Sequence, residues 1–282
     1  MRAFEPVGRL LFAEGEAGTA QISVFGIPYD ASTSFRPGAR FGPEGIRAAS
    51  VSLETFSPLQ DAEVRGGDVA DLGDVAGVYG GPERVLGRIE GATGEVLGKG
   101  SFPFALGGDH LVTAGEIRAL ADRHPDLAIF HIDAHTDFRE SYMGEPLSHA
   151  SVMRRCRELL PHGGIYQFGI RSGPREEFRE GDYLSPTLEG LSEAVREIGA
   201  RPAFLTFDID AFDPSEAPGT GTPEPGGLTW REVAAALPLL SDLHWVGADV
   251  VEVAPPFDPT GRTAVLAAKL VRELLILFQR SD

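Results

Sequence analysis

Asp133, His135 and Asp137 alternate in the stretch Asp-Ala-His-Thr-Asp. In an extended chain side chains two apart point the same way, each step roughly 6 to 7 Å along. Two further clusters carry the same residue types: His110 closes Gly107-Gly108-Asp109-His110, and Asp208 and Asp210 stand two apart after Phe207. Alone, the first stretch also reads as a polar turn, and His110 as a satisfied loop histidine. Together they offer two imidazoles and four carboxylates, more than one divalent ion can use. Two ions sharing bridging carboxylates, about 3.5 to 4 Å apart, can use them all. The donors are mostly oxygen, with no thiolate, which favours Mn²⁺ over zinc, although zinc also binds such groups. Four aspartates neutralise two divalent ions, so an added hydroxide leaves the site anionic. That charge suits a cationic substrate and argues against phosphoesters.

Each cluster follows an apolar run. The sequence 127–132 reads as a strand buried on both faces, as in a parallel sheet, and such sheets place chemistry outside the carboxyl ends of their strands. Phe102–Leu106 and Ala203–Phe207 read the same way. In His244–Val253 the alternation puts Val246, Ala248, Val250 and Glu252 on one side, with Glu252 emerging at the end. Further strands are expected at Gln21–Ile27 and Ile165–Ile170, and a short strand with a turn within 66–81. Helices are expected from Pro43 with Ile46, Ala49 and Leu53 inward, over Pro82–Leu97, from a Thr113 cap to Asp122, and from Ser148 or His149 to Leu160. Others span Thr187–Ile198, a Thr229 cap to Leu240, and 262–279. Strands alternating with helices throughout, without a linker or repeat, predict one α/β domain over 1–282 with a mainly parallel sheet. The long loop 29–42 is a candidate pocket wall. The Pro- and Gly-rich 213–227 lacks the Lys-Ser/Thr of a phosphate loop and reads as a structured loop over the site. Asp249, mid-strand, reads as a partner to a ligand histidine or as a structural buried acid. His131 reads as a core histidine and not a ligand, and Arg171 as half of a structural ion pair.

The 282 residues balance 25 Lys and Arg against 42 Asp and Glu, a net charge of −17. Such a surface repels phosphate backbones and anionic lipid, so nucleic-acid and membrane partners are not expected, whereas a small cation is attracted. A single cysteine, Cys156, allows no internal disulfide and fits a reducing cytoplasm. Met1–Leu11 lacks the apolar core of a signal peptide, and no run reaches membrane-helix length.

Gly-Gly-Asp-His at 107–110, Asp-Ala-His-Thr-Asp at 133–137 and Phe-Asp-Ile-Asp-Ala-Phe-Asp-Pro at 207–214 resemble the three signature motifs of the ureohydrolases, the arginase and agmatinase superfamily. The resemblance runs from Gly26-Ile27-Pro28-Tyr29-Asp30 to the last helix. It implies a three-layer α/β/α sandwich with a parallel sheet, assembled as a homo-oligomer (trimer or hexamer). It also implies two Mn²⁺ per subunit, one held by His110, Asp133, Asp137 and Asp208, the other by Asp133, His135, Asp208 and Asp210. Asp133 and Asp208 are then the bridges. Arg36-Pro37-Gly38-Ala39-Arg40-Phe41-Gly42-Pro43 and the stretch 251–258 resemble agmatinase segments. Phe138-Arg139-Glu140 stands where arginases carry an Asn that holds the amino-acid end of arginine. Three features depart from the pattern: Leu111 replaces a common Ser, Ser148-His149-Ala150-Ser151 replaces His-Gly-Thr, and residues 176–187 run short of the strand and helix usual there. The last leaves one sheet-edge element open.

A guanidinium carbon is a poor electrophile, and a pair of metal ions supplies the activated water its hydrolysis needs by lowering water's pKa from about 15.7 towards 7. The resemblance then assigns Glu252 to the guanidinium and His149 to protonating the leaving amine. The expected reaction is agmatine to putrescine and urea. Alternatives are N1-aminopropylagmatine, giving spermidine, or a guanidino acid such as guanidinobutyrate. A catalytically silent metal-binding homologue acting as an interaction subunit is a different class of reading, but no ligand is lost. A deacetylase on this fold uses one zinc, and the second histidine and full set of aspartates argue against it.

Overall fold

The protein is described by a computed structural model covering residues 2–279; Met1 and residues 280–282, the ends of the expected 1–282 domain, lie outside the described residues. In chain order the strands are β1 (Phe4–Glu5), β2 (Ile22–Gly26), β3 (Phe56–Ser57), β4 (Ala62–Glu63), β5 (Val69–Val75), β6 (Phe102–Leu106), β7 (Ala128–Ile132), β8 (Gly164–Phe168), β9 (Tyr183–Ser185), β10 (Pro202–Asp208) and β11 (His244–Val251). The helices are α1 (Gly42–Ser50), α2 (Pro82–Gly98), α3 (Val112–Ala121), α4 (Val152–Leu159), α5 (Leu191–Ile198), α6 (Trp230–Ala236) and α7 (Arg262–Phe278).

Nine strands form one sheet in the order β1-β5-β2-β6-β11-β10-β7-β8-β9, with β3 and β4 paired apart. Within it only β1 on β5 is antiparallel. Side chains of α1, α5, α6 and α7 pack on one face of the sheet, and those of α2, α3 and α4 on the other. The result is the expected three-layer α/β/α sandwich. Because both faces are covered, the central strands are mostly apolar, with His131, Gln167, Thr206 and Asp249 as buried polar exceptions. Phe104, Phe130, Phe168 and Phe204 are fully buried, each contributing about 1.5–3 kcal/mol.

Several elements differ from their sequence expectation. The stretch 66–81 holds the expected strand, β5, but at seven residues it is longer than the short strand expected there. Thr113 does not cap α3; it lies inside the helix with its hydroxyl on Asp249. Leu53 falls beyond α1, and α5 begins at Leu191 after the left-handed Gly190, not at Thr187. Thr229 does cap α6, in a reciprocal box with Glu232, but the α-helix stops at Ala236 and continues as a 3₁₀ turn to Leu240. The shortened region keeps its edge strand, β9, at three residues. In β11 the pairing with β10 shifts between Ala203 and Phe204, so Val246 packs into the layer opposite Ala248 and Val250.

Candidate metal centre

Four adjacent strands at the middle of the sheet, β6, β11, β10 and β7, end side by side, and each delivers polar residues at its carboxyl end. The chain leaves β6 for one side of the sheet and returns in β7, with two strands between them, which opens a crevice at the strand ends, where such sheets place ligands. At the β6 exit a Cβ on Gly108 would collide with the Tyr29 carbonyl, so only glycine lets loop and strand end meet. His110 follows, buried. Its Nδ1 lies 3.0 Å from Asp133 Oδ2, 3.3 Å from Asp137 Oδ2 and 3.4 Å from Asp208 Oδ2. His135 Nδ1 lies 3.1 Å from Asp210 Oδ2 and 3.5 Å from Asp133 Oδ1. The six expected ligands therefore meet in two adjoining groups that share Asp133.

Glu252 joins them by a different route from strand alternation. It lies one residue past β11 with φ at +62°, and its Oε1 accepts the His110 N–H at 2.9 Å. Asp137 has φ at +54°. Left-handed backbone is costly for residues with a Cβ and persists where the surroundings enforce it, often at functional sites. His149 opens a 3₁₀ turn capped by Ser148 and leading into α4. Its Nδ1 stands 4.0 Å from Glu252 Oε1.

The electrostatics of the cluster call for cations. Burial pushes the Asp208 carboxyl well above its usual range, and the charges of Asp210 and Asp133 push it further. Burial, then Asp109 and Asp210, do the same to Glu252. Asp133 moves the other way: burial opposes ionisation, but His131, His110 and His135 outweigh it and hold the carboxyl well below the usual range. Among the described residues no Lys or Arg pairs with any of these carboxylates. Crowded buried acids without organic cations, alternating with imidazoles, fit two divalent ions. Burial lowers the His149 pKa.

A cavity of about 500 Å³ opens over the cluster, with His135, Asp137, His149 and Asp208 at its floor and Ser34, Arg139, Tyr142, Glu177 and Thr222 around it. The loop 29–42 does form a wall. Asp109 Oδ2 accepts from the Ser32 N–H and hydroxyl, Ser32 Oγ accepts the His149 N–H at 3.0 Å, and Ser34 Oγ lies 3.0 Å from His149 Nε2. Arg36 ties this loop to the 213–227 loop through the carbonyls of Thr220 and Gly221. Thr222 of that second loop donates to Asp210 Oδ2 at 3.1 Å.

Two readings change. Arg171 makes no ion pair among the described residues; its guanidinium donates to the carbonyls of Gly169, Asp210, Ala211, Phe212 and Glu224, bracing the exit of β10. Asp249 reaches His110 only through hydroxyls: His110 Nε2 meets Thr206 Oγ1 at 2.9 Å, and Thr113 donates to Asp249 Oδ2 at 2.7 Å. Sequence reasoning missed Glu177, Thr206, Gln167 and Glu116. Gln167 had a visible signal, a lone polar residue in an apolar strand. Glu116 had one too, as an acid between inward-facing Thr113 and Ile117.

Sheet, layers and ligand groups together define a metal-assisted hydrolase that assembles its site at strand ends. Residues 20–277 match the arginase family, and the chain belongs to that family of ureohydrolases, enzymes acting on guanidino C–N bonds. It is 44% identical over 265 residues to the agmatinase of Bacillus anthracis, with 91% of each chain covered. It is 38% identical to the guanidinobutyrase of Pseudomonas aeruginosa, covering 92% of this chain and 87% of that one. The agmatine ureohydrolase of Thermoplasma volcanium superposes with a TM-score of 0.86 at 36% identity, over 98% of this chain and 96% of that one.

Proposed function

We propose that the protein is a dinuclear manganese ureohydrolase that cleaves agmatine to putrescine and urea. The observation that carries this reading is the convergence of His110, Asp133, His135, Asp137, Asp208, Asp210 and Glu252 from four neighbouring strand ends, with His135, Asp137 and Asp208 lining the cavity above them. His110, Asp133, Asp137 and Asp208 would hold one ion and Asp133, His135, Asp208 and Asp210 the other. When bound, the ions supply an activated water at neutral pH. Glu252 pairs with the guanidinium through charge-assisted hydrogen bonds and fixes its carbon. His149, held at its backbone by Ser32 and at its ring by Ser34, protonates the leaving amine.

The cavity supports a substrate with a cationic tail. Glu177, almost fully buried, lines it with its Oε2 accepting the Phe138 N–H and the Thr136 hydroxyl. One observation favours a second reading: Arg139, stacked 4.8 Å over the Tyr142 ring, also lines the cavity and suits the carboxylate of guanidinobutyrate. The charge of the whole chain, −17, favours the first, with N1-aminopropylagmatine as a longer cation that places the enzyme in polyamine synthesis. Cytoplasmic location is supported by the single, buried Cys156; among the described residues no helix is long and apolar enough to cross a membrane. A trimeric or hexameric assembly remains part of the proposal on the resemblance. Reconstituting chelator-stripped enzyme with Mn²⁺ should restore stoichiometric urea and putrescine from agmatine. Putrescine without urea, or neither product at full metal loading, contradicts the proposal.

A further inference from the structure

His131 sits inside β7, fully buried, and its Nε2 lies 2.7 Å from Asp133 Oδ2. It is within ligand distance of the group formed by His110, Asp133 and Asp137, so its part in that group needs deciding. Gln167, on the neighbouring strand β8 and opposite His131 in the parallel register, decides it. The Gln167 Nε2 donates to the Thr136 carbonyl at 2.9 Å and lies 2.9 Å from His131 Nδ1. A carbonyl only accepts, so the nitrogen of the amide must face it, and that same nitrogen faces Nδ1. A Cβ at Gly181 would press on the other end of the amide, the Oε1, at 2.6 Å. Nδ1 is thus an acceptor, the ring proton sits on Nε2, and Nε2 donates to Asp133. A ligand nitrogen needs a free lone pair: Nε2 has none, and that of Nδ1 is occupied.

We propose that His131, its tautomer fixed by Gln167, is a positioning residue that holds the Asp133 carboxylate for both metal ions. This rests on the dinuclear reading above. Asp133 is the residue both ligand groups share, and its two oxygens are pinned separately, Oδ1 by the His135 N–H at 2.6 Å and Oδ2 by His131. A carboxylate held at both oxygens cannot turn its plane, so the ions meet an oriented bridge and not a rotor. The charge-assisted bond from His131 also offsets part of the repulsion that Asp133 exerts on Asp208.

Isothermal titration of chelator-stripped protein with Mn²⁺ tests this, with apo folding checked by melting in EDTA. Wild type should bind two ions. His131→Phe should still bind two at saturation, with the tighter affinity weakened about 10- to 100-fold. Gln167→Met should weaken it in the same direction by less, and His131→Gln, which keeps a donor, should recover part of the loss. If His131→Phe saturates at one ion, His131 is a ligand; if its affinities are unchanged, His131 only fills the core; either result overturns the proposal. An unchanged Gln167→Met overturns the tautomer relay, and carries the test if His131→Phe does not fold. Wild type that binds no Mn²⁺ overturns the metal reading itself, which the variants alone would not do.

Discussion

His135 Nδ1 lies 3.1 Å from Asp210 Oδ2, although the two residues leave different strands. The parallel register of β7 and β10 places Ile132 beside Phe207, so Asp133 and Asp208 emerge level with each other and their followers two residues on face across the gap. The sheet register sets the two groups level, and the 3₁₀ turn that carries Asp210 completes the approach.

From this follows a graded response to ligand removal. Asp133→Ala and Asp208→Ala should each deplete both ions, because the proposed ligand sets share both residues, whereas Asp210→Ala should mainly weaken one. Metal analysis of the purified variants checks it. Two tightly held ions with full activity in either of the first two would refute the ligand assignment.

In the proposed mechanism His149 serves the leaving amine and not the metals. His149→Ala should lower kcat by roughly 10² to 10⁴ with metal content intact, and added imidazole should restore part of it. Near-normal turnover would leave His149 as a helix-start residue.

Glu252→Gln preserves shape and removes charge. Its loss should cost about 2 to 4 kcal/mol in kcat/KM, as expected when one partner of a buried charged pair is neutralised. Raising salt should erode the long-range attraction of the acidic surface and leave the Glu252 contribution in place. A kcat/KM that stays at the wild-type value in Glu252→Gln would detach Glu252 from the substrate.

Glu116 and Asp249 are buried acids side by side, with no Lys or Arg paired to either among the described residues. Burial first, then the Asp249 charge, pushes Glu116 well above its usual range, and burial raises Asp249. Below about pH 4 folded and unfolded chains are both protonated there. As pH rises further the unfolded chain loses these protons first, so stability falls until the folded groups also ionise. Glu116→Gln should therefore flatten the decline and add on the order of 1 to 3 kcal/mol at neutral pH. Denaturant titrations from pH 4 to 8 measure it; parallel curves for variant and wild type would contradict it.

The central strands were legible because burial on both faces leaves an almost unbroken apolar run before each polar exit, as at 127–132, broken only by His131, and at 102–106. The proposed ligands stood out as polar residues directly after such a run, but β7 ends at Ile132 and Asp137 has a left-handed backbone, so extended alternation does not place them. What was hidden depends on residues far apart in sequence. The shift of β11 against β10 is invisible in the β11 sequence itself, and it moves Val246 to the other layer. Glu252 was expected from alternation but is aimed by a left-handed backbone. Thr113 looked like a cap, yet its hydroxyl serves Asp249, 136 positions on.

The most direct test compares kcat/KM for urea release by manganese-loaded enzyme across agmatine, N1-aminopropylagmatine, arginine and guanidinobutyrate. Arg139 and Glu177 line the same cavity with opposite charges, so the tail of the substrate discriminates between them. Agmatine or its aminopropyl derivative should be cleaved far better than arginine or guanidinobutyrate. Equal values for arginine and agmatine, or a preference for the guanidino acid, would contradict the agmatine assignment, and no urea from any of the four would contradict the ureohydrolase account as a whole.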